Sequence, residues 1–445
     1  MATIKSLKSC LELTRLACKE ARRAGADAVE AAVGQGRSVE AELEDSRLKG
    51  TIRHAGQSLS VKAYYRGGRG SFVVHELTVS AVRQAARKAA KLACAATADP
   101  DWRRLPAPRK CVEVKGLYDR RLADPSPGMV LGMAEELLDS ARREARGCKI
   151  SGSVSSTSSC AAFSNHRGVE RTSRGTSITA GCLAVIRMKG KQGSYYDFDM
   201  GRCLKDVDIP PVGKSAAAGA LRYLGGQTMT TGEMPVVLGP LAAAGMLESV
   251  VAAASAESVQ RRRSFLAGRL GKRIGSKALT IIDDGLIPGG IYSSGSDSEG
   301  VPRQRLTVIE NGMLRNLLHN TYTAAKAGTR STGHCAGAGC APTNLVPALG
   351  HRTAEEIISE IEYGLYINSA SVSPNPSSGD VSAMVDFGLA IEKGRLSHPV
   401  ANVNVGGHIF ELLGAIDAVS SDYREEPGCI LPTIRIAKAH VSGAG

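Results

Sequence analysis

Nine histidines are the first place to look for hydrolytic chemistry. A zinc hydrolase needs imidazoles and carboxylates converging on the ion, with a carboxylate to handle the proton of the bound water. No two histidines stand four or five residues apart, and the single His-Glu dipeptide, His75-Glu76, is followed by Val79 and Ser80 where a second ligand would fall. That dipeptide reads as a hairpin-to-helix junction. The densest set of soft ligands is the stretch GHCAGAGC, with His334, Cys335 and Cys340. Its four-residue gap between cysteines is not the two-residue hook of structural zinc sites, and no fourth ligand is local. A metal on His334, Cys335 and Cys340 is the lesser reading, and a loop whose cysteines act as small hydrophobes is the favoured one. No glycine-rich loop ends in Gly-Lys-Ser/Thr and no Gly-x-Ser-x-Gly elbow occurs, so neither a phosphate cradle nor a serine nucleophile is specified. What stands out instead is a lone acid: Glu248, within the alanine-rich AGMLESVVAAAS (244–255), after the strand-like MPVVLG (234–239).

The elements that must position these residues are legible in outline. Apolar residues near helical spacing predict an amphipathic helix from Ile4 to about Ala24, stopped by Gly25. The alternating runs DAVEAAV, SVEAELE and SLSVKAYY predict strands, and RGGRG (66–70) a glycine-rich hairpin into SFVV. A second helix is predicted from about Glu76 to Ala96, and a third from Gly128 to about Ala145. Between them the proline-bearing DPDWRRLPAPRK (99–110) is a connector. The serine-rich SGSVSSTSS and the later SITAGCLAVIRMKG and SYYDFD read as strands. Further on, Asn311-Gly312 between two apolar runs predicts a hairpin, and Thr353 with Glu356 a capping box. The fold class expected is α+β: an N-terminal α/β layer over 1–110, a middle segment over 111–225 and a β-rich C-terminal domain over 226–445.

The formal charge of +13 raises the question of a nucleic-acid partner. Aromatics make up only 4% of the residues, which leaves few stacking platforms. Apart from QRRRSFLAGRLGKR (260–273), read as a solvated face or cavity lining, the basic residues are spread along the chain, so nucleic acid is not the favoured partner. Eleven scattered cysteines, no apolar leader at the start and no membrane-length apolar run predict a reducing, cytoplasmic setting.

Several segments taken together resemble the TldD/PmbA family of peptidase subunits, also called modulators of DNA gyrase. They are ACKEARRAGADAVEAAV, YRGGRGSFVV and ACAATADPD in the N-terminal part, and TIIDDG, SDSEGVPRQRLTVIENGMLRNLLHNTYTAAKAGTRSTGH, GDVSAMVDFGLAIEKGRLSHPV and LPTIRIA in the C-terminal half. The resemblance implies two subunits paired around an enclosed cavity. It further implies that TldD-type subunits carry His-Glu-x-x-x-His on the helix after the VVLG-like strand, with a cysteine ligand near the C-terminus. Laid on this sequence, Leu247 takes the first histidine position, Glu248 the glutamate and Ala252 the second histidine. Val251 stands where the family has a helix-distorting glycine, and Glu426, near Cys429, stands at the cysteine position. The departure matches the PmbA (TldE) type, which has no zinc motif. The expectation is a non-catalytic subunit with no cofactor of its own, a zinc-bearing TldD-like partner and polypeptide substrates, with self-pairing left open. The rivals are a nucleic-acid or gyrase-associated regulator, and a hydrolase that uses His334, Cys335 and Cys340.

Overall fold

In a computed structural model, residues 6–443 are described. Helix α1 (Leu7–Arg23) starts at the N-cap Ser6, whose side chain accepts from the Ser9 amide; the expected start at Ile4 lies outside the described residues. Strand β1 (Ala28–Glu44) runs through both DAVEAAV and SVEAELE without a break. The intervening Gly34-Gln35-Gly36 does not turn the chain, because it pairs in register with Gly56 to Ser58 on one side and Ser159 to Ala161 on the other. Strands β2 (Arg47–Tyr65) and β3 (Gly68–Val74) follow, joined by a turn with Arg66 at φ 48° and Gly67 at φ 85°. Glycine is required at Gly70 for a second reason: a Cβ there would lie 2.2 Å from the Ala89 carbonyl oxygen of α2 (Val79–Ala95).

Beyond the connector come α3 (Pro127–Glu144), β4 (Lys149–Asn165), β5 (Glu170–Met188), β6 (Lys191–Gly201) and α4 (Ile209–Arg222). The last ends just before the boundary expected between 225 and 226. Its Pro210-Pro211 sits in the first turn, where the missing amide costs nothing. Its Gly213 lets α4 approach α3 so closely that a Cβ would meet the Leu137 carbonyl at 2.2 Å. The sheet order is β3-β2-β1-β4-β5-β6, so strands from 1–110 and from 111–225 share one antiparallel sheet. One face is covered by α1 and α2 over β1–β3, and by α3 and α4 over the other end.

The C-terminal part opens with β7 (Gly232–Leu238) and α5 (Pro240–Ala253). A small sheet has the order β10-β9-β8-β13, from β8 (Ile281–Asp284), β9 (Arg305–Glu310), β10 (Met313–Leu314) and β13 (Leu345–Pro347). The predicted turn joins β9 and β10, with Asn311 at φ 47° and Gly312 at φ 74°. A two-stranded hairpin, β11 (Cys335–Ala336) and β12 (Gly339–Cys340), lies between β10 and β13 in sequence. The large sheet holds β14 (Tyr363–Ala370), β15 (Asp380–Glu392), β16 (Arg395–Val400), β17 (Val403–His408), β18 (Ile416–Glu426) and β19 (Cys429–Gly443) together with β7. Its order β14-β7-β19-β17-β15-β16 gains a β14–β15 pairing that closes five strands into a ring. The architecture is mixed α+β with a β-rich C-terminal region. No helix among the described residues is long and apolar enough to cross a membrane.

Candidate functional site

Strand β7, between β14 and β19, delivers the chain through Gly239 into α5. Nothing larger than glycine fits there, since a Cβ would lie 2.4 Å from the Tyr366 hydroxyl. α5 then runs unbroken to Ala253. At about 100° per residue, positions five apart point about 140° apart, and the side chains divide accordingly. Leu247 is 1% exposed, inside the main C-terminal core, whereas Glu248 and Ala252, one turn apart, share the exposed face.

Glu248 has Tyr292 and Cys429 in its electrostatic neighbourhood. Burial pushes the Cys429 thiol up to about 11, against an amide bond from Leu345, and the charges of Glu248, Glu426 and Asp283 add to the push. Burial likewise raises the Tyr292 phenol, and Glu248 contributes. Cys429 is the cross-strand partner of Glu426 at the tip of the β18–β19 hairpin. The Glu426 carboxylate is engaged elsewhere. Arg424 donates from Nε to Glu426 Oε1 at 2.7 Å, from Nη1 to Asp197 Oδ1 at 3.0 Å and from Nη2 to the Phe198 carbonyl at 2.7 Å, tying β18 to β6. Burial raises the Glu426 carboxyl, and Arg424 opposes it.

These residues do not fit zinc, because leucine and alanine have no lone pair to donate and Leu247 faces the core. Among the described residues no three of His, Cys, Asp and Glu are grouped to hold a metal ion.

The His334 loop is built differently from a ligand set. His334 is fully buried; Nε2 lies 3.1 Å from Asp283 Oδ1 and Nδ1 lies 3.0 Å from Thr332 Oγ1, so both ring nitrogens are engaged. Asp283 also accepts from the Thr343 amide at 2.7 Å and from the Thr343 hydroxyl. Cys335 and Cys340 face each other across the β11–β12 hairpin, and burial pushes both thiols up, Cys340 to about 12. Asp297 accepts amides from Glu299, Val301 and Cys335, and Arg303 donates to the Gly333 carbonyl at 2.7 Å. The segments TIIDDG and SDSEGVPRQR thus contribute Asp283, Asp297 and Arg303 to the buried hydrogen bonds around the His334 loop.

Residues 231–443 match the PmbA/TldA metallopeptidase C-terminal domain. Over 98% of this chain and 98% of the relative, the protein is 24% identical to Metalloprotease PmbA of Escherichia coli O157:H7. Its C-terminal region is a PmbA/TldD-family domain. A Metalloprotease TldD homolog of Buchnera aphidicola is 28% identical over 50% of this chain and 48% of its own, so both branches of the family are among the relatives. The fold is that of TldE from Thermococcus kodakarensis, at a TM-score of 0.88 and 24% identity, covering 98% of this chain and 100% of that one.

The protein holds a second concentration of charge that the motifs do not mark. Where the uncovered face of the N-terminal sheet meets the C-terminal loops, a cavity of about 150 Å³ is lined by Glu30, Lys62, Tyr64, Trp102, Glu299 and Cys335 among others. Lys62 Nζ lies 3.0 Å from Glu30 Oε1, and Glu30 Oε2 is buried with no hydrogen-bond partner. Glu299 Oε2 accepts the Thr321 amide at 2.8 Å. Burial raises the Glu30 and Glu299 carboxyls, and Lys62 opposes both shifts. Tyr64 and Trp102 stack with centroids 4.7 Å apart. The one sequence signal for this cavity is a charged residue inside the apolar strand AVEAAV, and that is too common a pattern to single out Glu30.

Proposed function

We propose that this chain is the zinc-free, PmbA/TldE-type subunit of a heteromeric peptidase, supplying part of a cavity wall while a TldD-type partner supplies His, Glu, His and Cys. The observation that carries the reading is the division of α5. The first ligand position, Leu247, points into the chain's own core, and Glu248 is left exposed beside Ala252 with no donor to share an ion. The near full-length similarity to Metalloprotease PmbA supports the subunit type, and the TldD homologue among the relatives supports a partner of the same family.

In this reading the chain carries no cofactor, works in the cytoplasm and faces flexible polypeptides, including small peptide precursors. Strand edges in the C-terminal sheet offer main-chain hydrogen bonds to such substrates, a mode that tolerates varied side chains. The His334 loop does not support a self-sufficient hydrolase, because its imidazole is already bonded on both sides. The test is to purify the chain alone and with a TldD-type partner, measuring zinc and cleavage of an unfolded protein in each. Activity and zinc only in the pair are expected; chelator-sensitive cleavage by the chain alone overturns the reading.

A further inference from the structure

The junction cavity has the make-up of a binding site. Glu30 is 4% exposed and only one of its carboxylate oxygens has a partner, the ammonium of Lys62. Glu299 brings a second carboxylate to the same walls. Lys62 meets only one oxygen of Glu30, so the buried Glu30 Oε2 is left with no hydrogen-bond donor beside the second carboxylate. The stacked Tyr64–Trp102 pair adds aromatic surface that favours a cation over an anion. Toward the outside, Arg69, Arg103 and Arg104 line the cavity and are exposed, Asp99 is exposed among them, and Glu257 pairs with Arg261. Arg104, Thr321 and Ala325 also line an adjoining groove of about 1090 Å³, which holds Arg109, Arg167 and Arg330 and no carboxylate side chain. The buried charges inside are Glu30 and Glu299 with Lys62, arginines predominate toward the adjoining groove, and the inner space of about 150 Å³ suits one small residue.

We propose that this cavity binds an α-ammonium group flanked by a carbonyl or carboxylate, from a peptide N-terminus or a free amino acid, seating the ammonium between Glu30 and Glu299 and the carbonyl side toward Arg69 and Arg104. The site lies apart from α5 and needs no partner subunit, so it stands or falls independently of the peptidase reading.

Calorimetric titration of the intact chain with trialanine, N-acetyl-trialanine and alanine tests it. Trialanine is expected to bind, and capping its ammonium is expected to weaken binding by about ten-fold or more, as loss of a charged hydrogen bond does. Glu299→Gln and Glu30→Gln should each weaken trialanine to a similar extent. Should Glu30→Gln fail to fold, Glu299→Gln, on a less buried loop, carries the test. Alanine within about ten-fold of trialanine would mark the site as one for free amino acids, and weaker alanine as one for peptide ends; both support the assignment. Equal binding of N-acetyl-trialanine, unchanged trialanine affinity in Glu299→Gln, or no binding of trialanine or alanine at about 10 mM overturns it.

Discussion

Glu248 on α5 and Glu30 on β1 look alike in sequence, each a lone acid among small apolar residues, yet the fold gives them opposite surroundings. Helical periodicity leaves Glu248 on the exposed face while its neighbour Leu247 enters the core. Strand alternation puts Val29 and Ala31 against the helices and turns Glu30 to the other face, where the C-terminal loops bury it beside Lys62. Positions 247 and 252 carry side chains with no lone pair, and the enclosed charge sits elsewhere. A carboxylate's capacity to act is set by what its element's period makes it face.

The comparison can be broken most forcefully at Leu247. Introducing Leu247→His together with Ala252→His should not create a zinc site, since the first imidazole would enter the core. Burying it unpartnered should cost about 3 kcal/mol or more in a urea titration. Tight zinc in a stably folded double variant would mean that α5 turns more freely than its packing allows.

Lys62→Met comes next. It strands the buried Glu30 carboxylate, and breaking such a pair costs about 3 kcal/mol, whereas Glu248→Gln on the exposed face should stay within about 0.5 kcal/mol. Equal losses would erase the distinction between the two acids.

The junction cavity should also show itself in the response of stability to pH. The Glu30 and Glu299 carboxyls are raised above the usual 4.5, so the folded state holds protons that the unfolded chain has released. Their contribution is fully present below about pH 4.5 and is lost as pH rises through the raised values. Glu30→Gln should flatten that decline in stability measured across mildly acidic pH.

The smallest effect concerns Cys429. Its thiol, near 11, should alkylate slowly at pH 8 and faster in Glu248→Gln, because removing a neighbouring negative charge favours the thiolate. Peptide mapping of alkylated Cys429 reads this out, and an unchanged rate would separate Glu248 from Cys429.

Much of the fold is legible in the sequence where local chemistry decides. The Asn311-Gly312 turn, the Thr353–Glu356 capping box and the RGGRG hairpin follow from φ requirements and side-chain reach, and each is present. Helix α4 is not legible as such, because Pro210-Pro211 reads equally well as a linker and only its packing through Gly213 onto α3 shows the element's purpose. The unbroken β1 is hidden by its glycines, whose pairing partners lie far away in sequence. At the site, the 140° separation of positions 247 and 252 can be worked out from the helix period, but which of them faces the core depends on tertiary packing. The junction cavity joins residues from 30 to 338, a convergence that no local pattern encodes.

The most direct test of the account is Glu248→Gln in the chain reconstituted with a TldD-type partner, read as peptidase rate with zinc content and pairing checked in the same sample. The account predicts a rate within a few-fold of the unmodified pair and zinc unchanged. A fall of about 100-fold, the usual cost of losing a general base, with folding and pairing intact, would contradict it and place this chain in the chemistry.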